Sequence, residues 1–289
     1  MDRGFAKGRN FGALWVYLLP KRLVTSFVGW FARRRVSRFM IPWFAKACEI
    51  DITEAELPMD AYKTWVQFFS RGLRPGARTV SEAGITSPVD GTASASGKIT
   101  EGKLIQAKGQ LYSVAALIGE VTDSRRFYDG QYITLYLSPH DYHRVHMPFG
   151  GRIVRWRHIP GTLYPVNASG VRGVPGLFTK NERLVIDVAT PSGEFAMVLV
   201  GATIVGSIRT PFGPDYVSPF RRRRAGIRQG ETSVDLAKGA EVGMFEFGST
   251  VILLFPATFP IDLQITEGEK IKMGQLIAHP VRHKSTSRA

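Results

Sequence analysis

Residues 248–255 read Gly248-Ser249-Thr250-Val251-Ile252-Leu253-Leu254-Phe255. From Thr250 onward this is a short, uninterrupted apolar run rich in β-branched and aromatic side chains, which predicts a buried strand. Its partners would lie in the chain before it. From Pro88 onward that chain is punctuated by glycine and proline turns between short β-like runs at 91–99, 131–137, 151–158, 183–188, 195–200 and 203–208, with one more at 263–265 after the apolar run. The body of the protein therefore reads as β-rich.

Ahead of the Pro75-Gly76 break the pattern is helical. Tyr62, Trp65, Val66 and Phe69 recur at helical spacing, and Asp51, Thr53 or Asp60 is placed to cap a helix. The expectation is an α+β fold, with an amino-terminal amphipathic helical segment at 1–74 and a β-rich domain at 75–289. At 289 residues with 44% hydrophobic content the chain can bury a sizeable core, which excludes a disordered class. Cys48 stands alone, so no internal disulfide is possible and a reducing compartment fits.

A formal net charge of +14 implies a polyanionic partner. Residues 1–48 hold ten Lys or Arg against Asp2 as the single acid, interleaved with Trp15, Phe27, Trp30, Phe31, Phe39 and Trp43. Cations mixed with bulky aromatics suit a helix lying on an anionic membrane better than a nucleic-acid tail. The apolar stretch 11–31 is broken at its centre by Pro20-Lys21-Arg22, so it reads as lying on the bilayer rather than crossing it. A second basic stretch, Arg221-Arg222-Arg223-Arg224, falls in a proline-broken segment from Arg209 to about Gly230 that reads as a loop, either touching lipid phosphates or simply solvated.

Three separated stretches carry chemistry-bearing residues: Ser87-Pro88-Val89-Asp90-Gly91-Thr92, Ser138-Pro139-His140-Asp141-Tyr142-His143-Arg144-Val145-His146-Met147-Pro148, and Glu246-Phe247-Gly248-Ser249-Thr250. The histidines are spaced by three, so in an extended strand His143 points away from His140 and His146; the bracketing prolines oppose a regular helix. A zinc site would need loop geometry, and no fourth ligand stands at helpful spacing. Serine needs an adjacent base, usually an imidazole oriented by a carboxylate, before it is a useful nucleophile.

Taken together, and with Gly161–Asn167, Asn181–Leu184 and Gly243–Phe245, these stretches resemble the phosphatidylserine decarboxylases over roughly residues 60–280. The resemblance implies a proenzyme that cuts itself between Gly248 and Ser249, with Ser249 as nucleophile, His146 as its base and Asp90 as the orienting carboxylate. Attack on the Gly248 carbonyl, an N-to-O acyl shift and β-elimination would leave a pyruvoyl group at 249, the covalent cofactor. That carbonyl would form a Schiff base with phosphatidylserine and release CO2 to give phosphatidylethanolamine, with His143 handling the substrate or its proton. No metal is required, His140 reads as a surface residue, and His158, His279 and His283 have no supporting motif. The resemblance further implies a homodimer and a peripheral protein on the cytoplasmic face of the cell membrane, with no nucleic acid as partner. Phe247 stands where many relatives carry leucine. The competing readings are a non-enzymatic basic protein that binds membrane or nucleic acid, and a zinc peptidase built on the histidines.

Overall fold

The computed structural model describes residues 21–107, 110–202, 207–212, 226–246 and 248–281. In chain order the strands are β1 (Ile85–Thr86), β2 (Gly91–Lys98), β3 (Lys103–Ala107), β4 (Gln110–Ser113), β5 (Gln131–Leu137), β6 (Arg144–His146), β7 (Gly151–Ile159) and β8 (Arg183–Thr190). They continue as β9 (Gly193–Gly201), β10 (Ile208–Arg209), β11 (Arg228–Leu236), β12 (Glu241–Phe245), β13 (Ser249–Phe255), β14 (Ile261–Leu263), β15 (Lys270–Ile271) and β16 (Leu276–Pro280). The large sheet has the order β11-β7-β8-β9-β13-β5-β2-β15, and each neighbouring pair is antiparallel.

The apolar run forms β13 near the middle of this sheet, and all seven of its residues are buried. Alternation along the strand sends Val251, Leu253 and Phe255 into one core, and Ile252 and Leu254 into another on the opposite face. Two layers make this possible. The first core packs the large sheet against the small sheets β10-β12-β6 and β1-β16-β14, through Val145, Phe245 and Ile277. The second packs it against the β3-β4 hairpin and the short helices Val114–Ile118 and Leu177–Lys180, through Leu104, Leu117 and Phe178. Burying a side chain of this size contributes about 1.5–3 kcal/mol, so β13 is held from both sides.

The partners of β13 are β5 and β9, both earlier in the chain, as the apolar run requires. β15 pairs with β2, and β16 with β1, so β13, β15 and β16 are each stitched into strands that precede residue 248. The strand expected at 263–265 lies two residues earlier, as β14, because its register against β16 begins where Ile261 meets Pro280. Of the run expected at 203–208, residues 203–206 lie outside the described residues, and Ile208 opens β10. The expected loop from Arg209 to Gly230 is corrected at both ends. Arg209 belongs to β10, and Arg228 begins the edge strand β11, whose polar sequence alternates exposure without an apolar signal; Arg221–Arg224 lie outside the described residues.

The amino-terminal segment contributes α1 (Lys21–Ala32), α2 (Met40–Ala47) and α3 (Trp65–Phe69). Helical spacing between 62 and 69 is realised only in α3. Pro58 and two 3-10 turns, Ile52–Glu54 and Met59–Ala61, occupy the chain before it, and Tyr62 lies outside the helix. Thr64 caps α3 by accepting from the Gln67 N–H, while Asp51 caps the first 3-10 turn by accepting from the Thr53 N–H. Ala32, Ile41, Phe44, Ala45, Val66 and Phe69 pack into a cluster of their own. The outer side leaves Phe27, Trp30, Val36, Phe39 and Trp43 exposed. Among the described residues no helix is long and apolar enough to cross a membrane.

Candidate active site

Ser249 opens β13 directly after Gly248, whose φ of +28° lies in the left-handed region that side chains resist. Regular pairing places Ser249 opposite Leu137 and Gly201 and on the face it shares with Val251. That face meets β12 and β6. The Phe245 N–H donates to the His143 carbonyl at 2.9 Å, which brings the residue before β6 over Ser249. Ser249 and His143 are both fully buried.

The His143 ring stacks on Phe69, with centroids 4.1 Å apart. Its Nε2–H donates to the Ser138 carbonyl at 3.1 Å, which leaves Nδ1 as an acceptor for the Ser249 hydroxyl at 3.4 Å. Burial, reinforced by the nearby Arg71 guanidinium, pushes the His143 imidazole down to about 3, so it is neutral at pH 7.

His146 faces the other way. Its Nδ1–H donates to the Gly239 carbonyl at 2.8 Å, and its Nε2 accepts from the Tyr142 hydroxyl at 2.9 Å. Burial lowers its pKa as well, but the Gly239 carbonyl and the negative charges of Glu241 and Asp90 oppose the shift. Burial thus lowers both imidazoles, but carboxylates partly offset it only at His146, where the Arg144 charge also acts.

Asp90, just before β2, is a buried clamp. Its carboxylate accepts from Arg78 Nε at 3.0 Å and Nη2 at 2.5 Å, from the Met273 N–H at 2.7 Å, and from Lys272 Nζ at 3.5 Å. Arg78 also reaches Glu54 at 2.7 Å. Burial opposes the Arg78 charge, but the hydrogen bonds to Asp90 and Glu54 more than offset it and hold the guanidinium above its ordinary value. The clamp ties the helical segment, through Glu54, to the chain after residue 248, through Lys272 and Met273. Gly91 follows because the strand runs close to its neighbour: a Cβ there would stand 2.4 Å from the Tyr136 carbonyl oxygen.

Asp90, His146 and Ser249 are thus gathered in one region but not in one hydrogen-bonded line, which differs from the sequence expectation. The imidazole touching Ser249 is His143. The reason is the spacing of three: in the extended chain entering β6, residues 143 and 146 point to opposite sides. His140 is half exposed, 3.4 Å from Asp141. His158 is buried against Glu182 at 3.0 Å, His279 lies in β16, and His283 is outside the described residues. Among the described residues no three His, Cys, Asp or Glu side chains are gathered to hold a metal.

Several residues around the site had no role in it assigned from the sequence. Phe69 and Arg71 come from the helical segment, far from the motifs. Buried Glu246, two residues before Gly248, pairs with Arg33 beyond α1 and with Arg209 Nε at 2.7 Å; Phe247 itself is outside the described residues. Asn181 fastens the stretch around Tyr164 to β9, donating to the Tyr164 and Gly201 carbonyls at 2.9 Å each while accepting from the Tyr164 N–H. A pyruvoyl group derived from Ser249 fits this setting. The serine is buried, its hydroxyl has an imidazole acceptor, and the carbonyl it would attack belongs to a glycine with no side chain in the way.

Comparison with known proteins identifies the family. The family model described as phosphatidylserine decarboxylase matches residues 65–279, and a second, described as PSD, matches residues 12–47. A phosphatidylserine decarboxylase proenzyme of Acidovorax ebreus (strain TPSY) is 44% identical over 269 residues, covering 91% of this chain and 95% of the relative. One from Anaeromyxobacter sp. (strain K) is 42% identical over 268 residues, covering 89% and 94%. One from Azoarcus sp. (strain BH72) is 45% identical over 245 residues, covering 83% and 85%. With matches of this extent, and with a buried serine following a glycine at the start of a central strand, the chain belongs to the phosphatidylserine decarboxylase family.

Proposed function

We propose that this chain is a phosphatidylserine decarboxylase that cuts itself between Gly248 and Ser249 and converts Ser249 into the pyruvoyl group it works with. The observation that carries this reading is the Ser249 hydroxyl buried against the His143 imidazole, directly after a glycine with positive φ. Family membership removes the basis for a non-enzymatic basic protein. Once formed, a pyruvoyl group supplies the electrophilic carbonyl that holds the lipid amine and takes up the electrons released with CO2. Replacing Ser249 with alanine should leave one uncut chain of 32.0 kDa that releases no CO2 from phosphatidylserine.

The residues divide the proton handling. The His143 hydrogen bond fixes the Ser249 rotamer, but an imidazole with a pKa near 3 is a weak proton acceptor at neutral pH. At His146 the Gly239 carbonyl, then Glu241 and Asp90, favour the cation against the lowering by burial and Arg144. We assign it the role of taking the serine proton, as the family resemblance implies. His143, already over residue 249, handles the substrate proton in the mature enzyme. Asp90 supplies negative charge near His146 and anchors both halves of the chain.

Exposed Phe27, Trp30, Phe39 and Trp43, with Arg34 stacked over Trp30 at 4.9 Å, support docking of the helical segment on an anionic membrane surface. The boundary between this segment and the catalytic domain at residue 75, the cytoplasmic face and the homodimer belong to the same proposal. Sedimentation of the purified protein tests the dimer.

A further inference from the structure

Arg71 is 4% exposed, at the end of the turn that follows α3. One of its nitrogens, Nη2, donates to the His140 carbonyl at 3.1 Å, and the guanidinium lies 5.5 Å from the centre of the Phe68 ring. Nε and Nη1 are fully buried and donate to no group among the described residues. The acids whose charges Arg71 feels, Asp90 and Glu54, are already engaged: Arg78 holds both. A buried cation with two idle donors is unfavourable unless an acceptor arrives, and burial indeed lowers the pKa of this guanidinium.

Its location says where the acceptor would come from. Phe69, two residues away, stacks on the His143 ring. The Arg71 charge is felt by that imidazole. The carbonyls that Arg71 and His143 bind, His140 and Ser138, are two residues apart on the chain leaving β5, whose last residue, Leu137, pairs with Ser249. The idle donors therefore lie in the layer between the helical segment and the residue where the lipid amine would be held.

We propose that Arg71 receives an oxyanion of the substrate headgroup, positioning the amine at residue 249. This rests on the function proposed above. Phosphatidylserine offers two such groups, the carboxylate that leaves and the phosphodiester that stays, and kinetics separates them. A phosphodiester keeps its charge throughout the reaction, so its contact binds ground and transition state equally, and its loss raises KM with little change in kcat. A carboxylate loses its charge to CO2, so a contact there holds the ground state, and its loss changes kcat.

The experiment uses the full chain as wild type, Arg71→Gln and Arg71→Lys, with self-cleavage read first on a denaturing gel. Cut protein is then incubated with cyanoborohydride and vesicles carrying phosphatidylserine, phosphatidylethanolamine or a long-chain alkylamine without an anionic group. Amine captured on the small fragment is read by mass. Wild type should capture the anionic lipids about 10- to 100-fold better than the alkylamine. That preference should collapse in Arg71→Gln and partly return in Arg71→Lys. For phosphatidylethanolamine, which keeps only the phosphodiester, a collapse assigns that group; a preference confined to phosphatidylserine assigns the carboxylate. Unchanged preference in cut Arg71→Gln overturns the proposal, as does failure of both variants to cut, which would place Arg71 in folding or processing. Absence of capture by wild type with any amine would instead defeat the pyruvoyl reading itself, and this inference with it.

Discussion

At the scale of single residues the two histidines carry distinct expectations. His146→Ala should leave the proenzyme largely uncut, whereas His143→Ala should cut and then decarboxylate poorly, by roughly 100-fold or more if it handles the proton. Gel and CO2 assays read the two steps separately. Cleavage that survives in His146→Ala and is lost in His143→Ala would give the base role to the residue the hydroxyl touches. The His143 pKa also sets a pH dependence. Its folded value, about 3, is depressed below the ordinary 6.5, so the stability it contributes is fully present above pH 6.5 and is lost as pH falls toward 3. Each such proton taken up on unfolding steepens the loss by about 1.4 kcal/mol per pH unit. Urea midpoints between pH 7 and 4 should fall more steeply for wild type than for His143→Gln. The sequence made Ser249, His143, His146 and Asp90 legible as a set, because their residue types and order match the family. Their pairing was not legible, since it depends on which side of an extended chain each imidazole leaves, and on Phe69 and Arg71, which the helical segment brings in.

At the scale of elements, β13 is what keeps the cut protein whole. All seven of its residues pair with β5 and six of them with β9, and β15 and β16 dock on β2 and β1. After cleavage the small fragment should remain bound through size exclusion in native buffer and separate only under denaturing conditions. Leu253→Ala, which removes a fully buried side chain at the centre of the sheet, should cost about 2–5 kcal/mol. A urea midpoint unchanged from wild type would contradict the two-sided packing. The apolar run announced β13 because a strand buried on both faces needs apolar residues at every position. The edge strand β11 gave no such signal, since Gln229, Glu231 and Ser233 face outward and only alternate positions are partly covered. The helix anticipated from 62–69 spacing shrank to α3 because Pro58 and the 3-10 turns take up the chain before it.

At the scale of the whole molecule, the net charge of +14 and the exposed aromatics of the helical segment predict vesicle binding that weakens with salt without vanishing. Each Lys or Arg near an anionic surface contributes about 1 kcal/mol, screened over about 8 Å at physiological salt, while buried Trp and Phe add a salt-insensitive part. Deleting residues 1–48 would also remove Arg33 from Glu246, so vesicle binding is better compared in Trp30→Ser/Trp43→Ser, whose side chains are exposed. Equal binding by this variant and wild type across a salt series would move the lipid contact elsewhere. Underneath all of this lies the claim that the Gly248-Ser249 bond breaks and residue 249 becomes a pyruvoyl group. Mass spectrometry of the purified, denatured protein tests it most directly. The account predicts two chains, 1–248 with a free carboxylate and 249–289 with a pyruvoyl in place of an amino terminus, the latter gaining mass on treatment with a carbonyl reagent. A catalytically active protein found as a single intact chain of 32.0 kDa would contradict it.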